Sequence, residues 1–599
     1  MKPPGLHAVW LTNDVILVAG PVGRGAGMTV AGNAVDAAAM SYDRDGETGG
    51  VLVGHLPPGA SSGGGAANVT VGALSAQAPE LELGEPALQG LIRNELAALE
   101  AAERERILEF ILTSVAGDLR SPGAMALAGR LARVRDGLRE QLPRAVATDD
   151  DPYAVEVEAI YALDHESFWI RGWVHDADRT LESLVAVSPE GARADLLNGA
   201  YRHERLDIQE RYAAFSDGAE ARHGLMTVLS LAAPSHLANG WIVELRTSSG
   251  VVLEVEAPAV ERRIERVRAH LLHDMRAERP GSDELVSGHL HPALQRIQAR
   301  LEAAVKVETV IEIGDRIPRA PAVTVIVPLY KRIDFVEHQI AHFARDPEMA
   351  QADILYVLDS PEFADNLLDS AHALSVLHGL SLRIAVMARN AGYSGANNAG
   401  VSLARGRRIV LLNSDVIPDQ PGWLGKMSAF YDATPGIGAL GPKLLYEDDS
   451  LQHAGMFFYR DNSGRFWANH HYFKGMHRSF AAANVARAVP AVTAACMMID
   501  RDLYDEAGGL SHAYVQGGYE DSDLCLRLIE LGRENWYMPG AELYHLEAQS
   551  FTAARRKPAA AYNVWLQTNT WNDRIETVAR EYGRHPLAGK DSAVAEPSR

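Results

Sequence analysis

The stretch Ile409-Val-Leu-Leu-Asn-Ser-Asp-Val416 sets an apolar run directly before Asn413 and Asp415, and Pro418 follows. A short apolar run bounded by turn formers has the pattern of a buried parallel strand. A carboxylate at its end stands where open α/β sheets bind ligands, although an aspartate there also suits a plain turn. Farther on, Gly517-Gly-Tyr-Glu-Asp-Ser-Asp523 places Glu520, Asp521 and Asp523 before a helical pattern of Leu524, Leu528 and Leu531. Acidic residues in a first helical turn complement the helix dipole. That accounts for one or two of them and leaves a carboxylate for chemistry. Ala541-Glu-Leu-Tyr-His545 then presents a histidine after a short strand. The turn from Asn390 to Gly400 opens a helix. Its backbone N–H groups could face a diphosphate, or Gly392, Gly395 and Gly400 could serve close helix–sheet packing.

These residues need a scaffold, and the pattern from Val323 onwards supplies one. Val323-Thr-Val-Ile-Val327, Ile354-Leu-Tyr-Val-Leu358, residues 382–387 and the Ile409 run alternate with helical segments over 333–345, 362–378 and 394–404. Such alternation gives a mostly parallel sheet with both faces covered. Four strand ends then converge on one edge, carrying Pro328 and Tyr330, Asp359, Arg389 and Asn390, and Asn413 and Asp415.

Taken together these blocks resemble family 2 glycosyltransferases with the GT-A fold, over residues 323–551. The matching blocks are Val325-Ile-Val-Pro-Leu-Tyr330, Asp359, Arg389-Asn-Ala-Gly-Tyr-Ser-Gly-Ala-Asn-Asn-Ala-Gly400, Leu411-Leu-Asn-Ser-Asp-Val416 and Gly518-Tyr-Glu-Asp-Ser-Asp-Leu-Cys-Leu-Arg527. Leu451-Gln-His-Ala-Gly455, Ala495-Cys496 and Tyr544-His-Leu-Glu-Ala-Gln-Ser550 resemble the rhamnosyltransferase-like branch that builds O-antigen and other bacterial surface polysaccharides. The resemblance implies that Pro328, Tyr330 and Asp359 hold the nucleotide base and ribose. Arg389, Asn390 and Asn398 would line the nucleotide-sugar pocket. Asn413-Ser-Asp415 stands at the family's Asp-x-Asp motif, so Asp415 would bind a divalent metal with His545, and Asn413 offers a neutral oxygen. A mixed O/N site suits Mn²⁺ as well as Mg²⁺. Asp521 would be the general base of an inverting transfer, with Glu520 and Asp523 binding the acceptor or orienting Asp521.

The rest of the chain has its own patterns. The expected organisation is a β-sandwich-like module over 1–84, helices and a linker over 85–150, and a second β-sandwich-like module over 151–258. A helical connector follows over 259–320, then the GT-A domain over 321–555 and a C-terminal helix with a disordered tail over 556–599. Leu81-Glu-Leu-Gly-Glu-Pro-Ala-Leu88 echoes Leu253-Glu-Val-Glu-Ala-Pro-Ala-Val260, which marks the two β modules as an internal repeat. Trp169 and Trp173 either stack on sugar rings or fill a sandwich core. His453, His470, His471 and His477 around Trp467 form a polar acceptor-side loop, with a second metal site as the alternative. Trp565 and Trp571, in a helical stretch over 557–580, pack on the catalytic domain rather than meeting a membrane.

Composition excludes several classes. The formal net charge of −21 over 599 residues leaves no broad nucleic-acid-binding surface. Two cysteines, Cys496 and Cys525, make neither a disulfide framework nor a cysteine zinc site, and they fit a cytoplasmic setting. No apolar run reaches the ~18 residues of a membrane span. Peripheral association with the inner membrane face follows only if the acceptor is lipid-linked. The glycines at 20, 23, 25 and 27 lack the strand–loop–helix context of a nucleotide loop. The 392–400 turn lacks the Gly-x-Gly-x-x-Gly spacing of a dinucleotide site, which sets aside an NAD-dependent oxidoreductase. The expected activity is transfer of a sugar from a nucleoside-diphosphate donor to a glycan or lipid-linked glycan. Two alternatives stand beside it: a galactofuranosyltransferase-like polymerase, and a non-catalytic carbohydrate-binding or assembly protein with a vestigial GT-A domain, for which Asn413 speaks.

Overall fold

The computed structural model describes residues 6–10, 15–22, 27–44, 47–56, 66–78, 99, 106–107, 110–111, 114, 153–176, 181–212, 222–248, 252–275, 283–546 and 553–582. The helices expected over 85–150, the loop over 57–65 and the tail after 586 lie outside these, except for a few isolated positions. The chain divides into two compact units, Met1–Ala269 and His270–Arg599.

In the first unit, β1 (His7–Trp10), β2 (Val15–Gly20), β3 (Met28–Val30), β4 (Asn33–Arg44), β5 (Glu47–His55), β6 (Ala67–Val71) and β7 (Leu74–Ala78) join in the order β1-β2-β5-β4-β3-β6-β7. All pairs are antiparallel. The first residues of β4 pair with β3 through Met28↔Val35, and the rest pair with β5 from Asp36↔His55 onwards. One long strand thus passes between two sheets, and Trp10, Ile16, Val18, Met28, Val30, Leu52, Val69 and Val71 fill the core they share.

The second module uses β8 (Tyr153–Ala162), β9 (Ser167–Asp176), β10 (Leu181–Val187), β11 (Arg193–Asp195), β12 (Tyr201–His203), β13 (Gly224–Ser230), β14 (Ile242–Thr247) and β15 (Val252–Glu256). They form two antiparallel sheets, β12-β13-β9-β8 and β11-β10-β14-β15. This is the first module's order, with β11 and β12 in place of the two halves of β4. The echo in sequence is therefore matched by topology. Phe168 and Ile170 point into the core between the sheets. Trp173 lies on the other side, covered by Ile208 of α1 (Leu206–Arg211) and by Tyr212, and its Nε1 donates to Glu156 Oε2 at 3.0 Å. Trp169 and Trp173 are both buried, so neither offers a face to a sugar.

The helix α2 (Ile264–Asp274) contains the division between the units. In the second unit, α3 (His291–Ala303) precedes β16 (Val307–Ile313), a strand where the sequence reading placed helical connector. Its alternation Val307-Glu-Thr-Val-Ile-Glu-Ile313 lays it antiparallel along the sheet edge, against the strand that begins at Leu382. The expected strand–helix alternation follows: β17 (Val323–Leu329), α4 (Phe335–Phe343), β18 (Asp353–Leu358), α5 (Ala364–His378), β19 (Leu382–Met387), α6 (Gly392–Ser402), β20 (Arg408–Leu412) and β21 (Val416–Pro418). Strands β17 to β20 are parallel, as continuous apolar runs between helices require.

The remainder comprises α7 (Trp423–Ala433), β22 (Ile437–Leu445), β23 (Leu451–His453), a hairpin of β24 (Met456–Arg460) and β25 (Trp467–His471), β26 (Arg487–Val489), β27 (Cys496–Asp500), α8 (Arg501–Glu506), α9 (Glu520–Glu530), β28 (Glu534–His545) and α10 (Ala553–Glu581). The sheet runs β16-β19-β18-β17-β20-β27-β22-β28-β21, with β23 on β22 and β26 on β28. Gly400 brings α6 onto this sheet: a Cβ there would lie 2.4 Å from Ile326 Cγ2. Cys496 and Cys525 are buried free thiols. Among the described residues no helix is long and apolar enough to cross a membrane.

Candidate active site

The Asn413-Ser-Asp415 turn leaves β20 beside β27, where Asn413 N–H donates to Ala495 O at 2.9 Å. Gln339, buried on α4, clamps the turn by donating through Nε2 to Asn413 O (2.9 Å) and Val416 O (2.8 Å). Strand β21 then pairs antiparallel with the end of β28, setting Val416 opposite His545. This register brings Asp415 Oδ1 and His545 Nε2 to 3.5 Å. That separation is long for a hydrogen bond and is within the span of two ligands, each about 2.1 Å from one ion. His545 Nδ1 has no hydrogen-bond partner among the described residues. The pair is spaced as two donors to one divalent ion would be, and among the described residues no third His, Cys, Asp or Glu joins them. The end of β28 is anchored from behind: buried Lys443 donates to Glu542 and Asn484, both at 2.6 Å, and Arg478 pairs with Glu542, Asp419 and Asp449.

The glycine-containing turn takes a different role from an open anion site. Asp359, at the end of β18, accepts the N–H groups of Ala391 (2.5 Å) and Gly392 (3.0 Å) and Asn390 Nδ2 (2.8 Å). Its carboxylate thus occupies the first N–H groups of α6. Burial pushes the Asp359 carboxyl up to about 7, against the pull of those N–H groups. Asn390 is fastened to Asp359, and Arg389 stands exposed beside it. Pro328 and Tyr330 lie partly exposed at the end of β17. Lys331 follows with a left-handed φ of 60° and its N–H on Ser360 Oγ. Arg332, outside the sequence motifs, pairs with Asp334 at 2.6 Å, and the charge of Asp415 acts on it more weakly. The adjacent basic pair after Tyr330 was its one signal. Asn398 is directed away from this edge: its amide binds Tyr504 Oη (2.5 Å), Leu510 and His512, and so holds the 504–512 segment.

The acidic motif is presented by a strained turn. Gln516, Gly517, Gly518 and Tyr519 all have positive φ, at 59°, 84°, 105° and 79°. Two non-glycine residues in this region carry strain that neighbours must hold. Asn563 of α10 does so: its Nδ2 donates to the carbonyls of Val515, Gly517 and Gly518, and its Oδ1 accepts Val515 N–H. Gln567 of the same helix accepts from Ser522 Oγ at 2.6 Å. Trp565 is buried, and Trp571 Nε1 donates to Asp523 Oδ1 at 2.8 Å, so both tryptophans pack against this unit. Asp523 also pairs with Arg527 (2.7 Å), which reaches the carbonyls of Ala507 and Gly509. Asp523 is thus a joint between α9, α10 and the 507–509 turn, a different duty from touching an acceptor.

Asp521 and Glu520 remain. Asp521 accepts Ala494 N–H through Oδ2 (3.3 Å) and Ser522 N–H through Oδ1 (2.8 Å). Burial raises its carboxyl, opposed by those donors and the Thr493 hydroxyl. Glu520 is buried with Oε2 unpartnered among the described residues. Burial, then the charge of Asp521, pushes it up to about 8. Both carboxyls are raised by burial, and Glu520 lacks the Ser522, Ala494 and Thr493 donors that oppose the shift at Asp521. Tyr393 links the two halves of the site: its hydroxyl lies 3.0 Å from Asn413 Oδ1 and 3.1 Å from Ala494 O, in the field of Glu520, Asp521 and Asp415.

The raised Glu520 carboxyl has a stability consequence. Between its ordinary value of 4.5 and about 8 the folded chain keeps a proton that the unfolded chain has released. Stability falls as pH rises through that window and levels above it. Glu520→Gln is expected to raise Tm by roughly 2–8 °C at pH 8 and to leave it unchanged at pH 4, read by thermal unfolding. Equal shifts at both pH values would refute this.

Of the four histidines near Trp467, His470 is exposed and His477 binds Ser479 Oγ. His453 and His471 meet with their Nδ1 atoms 2.7 Å apart, the spacing of a shared proton and not of two ligands around one ion.

Residues 320–563 match the model of the family described as glycosyltransferase like family 2. This region is a family 2 glycosyltransferase domain. It is 32% identical over 233 residues to the uncharacterized protein y4gI of Sinorhizobium fredii (strain NBRC 101917 / NGR234), covering 38% of this chain and 25% of that protein. Over 217 residues it is 28% identical to the O-antigen biosynthesis protein RfbC of Myxococcus xanthus, covering 34% of this chain and 16% of that one. The chain thus spans a quarter or less of the length of these curated relatives. Among solved structures, GalNAc-T7 with UDP, GalNAc and Mn²⁺ aligns with a TM-score of 0.33 and 14% identity, covering 44% of this chain and 53% of that one. The matched region holds Asp359, Tyr393, Asp415, Glu520, Asp521 and His545.

Proposed function

We propose that the protein is an inverting, metal-dependent glycosyltransferase. It moves a sugar from a nucleoside-diphosphate donor to a hydroxyl of a glycan or lipid-linked glycan in bacterial surface-polysaccharide or glycoconjugate assembly. The observation that carries this reading is the joining of two motifs by Tyr393: Asn413, beside the Asp415–His545 pair, and Ala494, whose N–H orients Asp521. Asp415 and His545 would hold Mn²⁺ or Mg²⁺, which when bound neutralises charge growing on the leaving diphosphate. Asp521, oriented by the N–H groups of Ala494 and Ser522, takes the proton of the attacking hydroxyl. Direct attack at the anomeric carbon inverts it, the outcome that the family resemblance implies. The O-antigen role of the Myxococcus relative supports the pathway class. The two N-terminal modules are read as β-sandwiches appended to this domain.

The test is thermal stability with nucleoside diphosphates and nucleotide sugars, each with and without Mn²⁺ or Mg²⁺. A ligand at ~100 times its Kd stabilises by about 2.7 kcal/mol. One nucleotide is expected to produce a metal-dependent shift that Asp415→Ala abolishes. No shift with any nucleotide would reject the catalytic reading in favour of a vestigial domain.

A further inference from the structure

The buried histidine pair carries a directional hydrogen-bond chain. Gly455 N–H donates to His453 Nε2 at 3.3 Å, so that nitrogen is an acceptor. In a neutral imidazole the proton then sits on Nδ1. His453 Nδ1–H faces His471 Nδ1 at 2.7 Å, which makes the latter the acceptor and leaves the proton of His471 on Nε2. Burial holds both rings neutral: His471 is lowered to about 3 and His453 falls well below its ordinary value. The chain begins at a backbone N–H, whose donor sense cannot reverse. His471 is only partly buried, and its Nε2 has no hydrogen-bond partner among the described residues.

The position of this N–H matters. His471 ends β25, and Asn469, two residues earlier and so on the same side of the strand, donates to Ser522 Oγ at 3.1 Å. Ser522 follows Asp521 directly. Both histidines also lie in electrostatic reach of His545. A neutral N–H suits a hydroxyl oxygen, whereas a diphosphate would be better served by a cation. We propose that His471 contacts the acceptor: its Nε2–H donates to a hydroxyl oxygen of the acceptor sugar, and His453 is the positioning residue that fixes this tautomer. The proposal rests on the glycosyltransferase reading above and adds a specificity-determining contact to it.

The experiment uses the full chain labelled with ¹⁵N-histidine, with His471 assigned by difference from His471→Gln. Nitrogen shifts report the tautomer directly. The chain is then loaded with Mg²⁺ and whichever of UDP, GDP or dTDP stabilises it, and titrated with glucose, galactose, mannose, rhamnose and N-acetylglucosamine. His471 is expected in the Nε2–H form, His453 in the Nδ1–H form, and one sugar is expected to move the His471 Nε2–H signal saturably. His471→Gln keeps a terminal N–H and should hold sugar affinity within about threefold, while His471→Ala should weaken it about tenfold. His453→Asn can replace the Nδ1–H donor and should preserve the His471 tautomer; His453→Phe should give mixed tautomers. Thermal unfolding of each variant shows that it is folded. An Nδ1–H tautomer at His471 overturns the proposal, as does a nucleotide-loaded chain whose His471 signal no sugar moves. Absence of stabilisation by every nucleotide overturns the glycosyltransferase reading and this proposal together.

Discussion

Asp521→Asn is expected to lower kcat by about 10²–10⁴-fold and to leave the metal-dependent nucleotide shift unchanged. The separation follows from the geometry. Asp415 and His545 meet through the β21–β28 pairing, whereas Asp521 hangs on Ala494 and Ser522 at the start of α9. Asparagine keeps an oxygen for one of those two N–H groups, loses the acceptor for the other, and cannot take a proton. Nucleoside-diphosphate release from the donor identified by the stability panel measures the effect. Retention of more than about a tenth of kcat would remove Asp521 from the role of base. Asp523→Asn separates the two acids further, since its carboxylate serves Arg527 and Trp571.

Asp353→Ala is expected to destabilise the second unit by about 3–5 kcal/mol. Arg383 and Asp353, 3% and 1% exposed, face each other fork to fork, with Nε–Oδ1 at 2.7 Å and Nη2–Oδ2 at 2.6 Å. Thr324 Oγ1 donates to Asp353 and accepts the N–H groups of Arg405 and Gly406. The group ties the starts of β17, β18 and β19 to the turn before β20. Losing the carboxylate strands a guanidinium in the core, whereas Asp353→Leu combined with Arg383→Met removes both charges and should recover much of the loss. The readout is the unfolding transition that the nucleotide stabilises. A loss below about 1 kcal/mol for Asp353→Ala would show that water reaches the abandoned arginine.

The parallel strands were legible because a strand buried on both faces must be apolar throughout, and four such runs ended in polar residues. The edge strand β16 went unread because its glutamates alternate beside a stronger helical pattern. The repeat of the β modules left a trace in sequence at a few positions, but its shared strand order shows only when β4 is seen to serve two sheets. The indole of Trp173 could be assigned only once α1 was in place, since Ile208 and Tyr212 cover it. Gln339 and Asn563 carried no signal at all: each is a single amide whose importance comes from the backbone it meets.

By itself the sequence determined the class of fold, the order of the motifs and the set of carboxylates from which a base must come, because periodicity and turn chemistry are local. Tertiary structure decided which of those groups remain free. Asp359 closes the start of α6, Asn398 holds the 504–512 segment and Asp523 joins two helices, while Asp415 is brought to His545 and Asp521 is left beside a buried Glu520. The physical reason is that a side chain's availability depends on its partners and its burial, and here those partners come from strands and helices far along the chain.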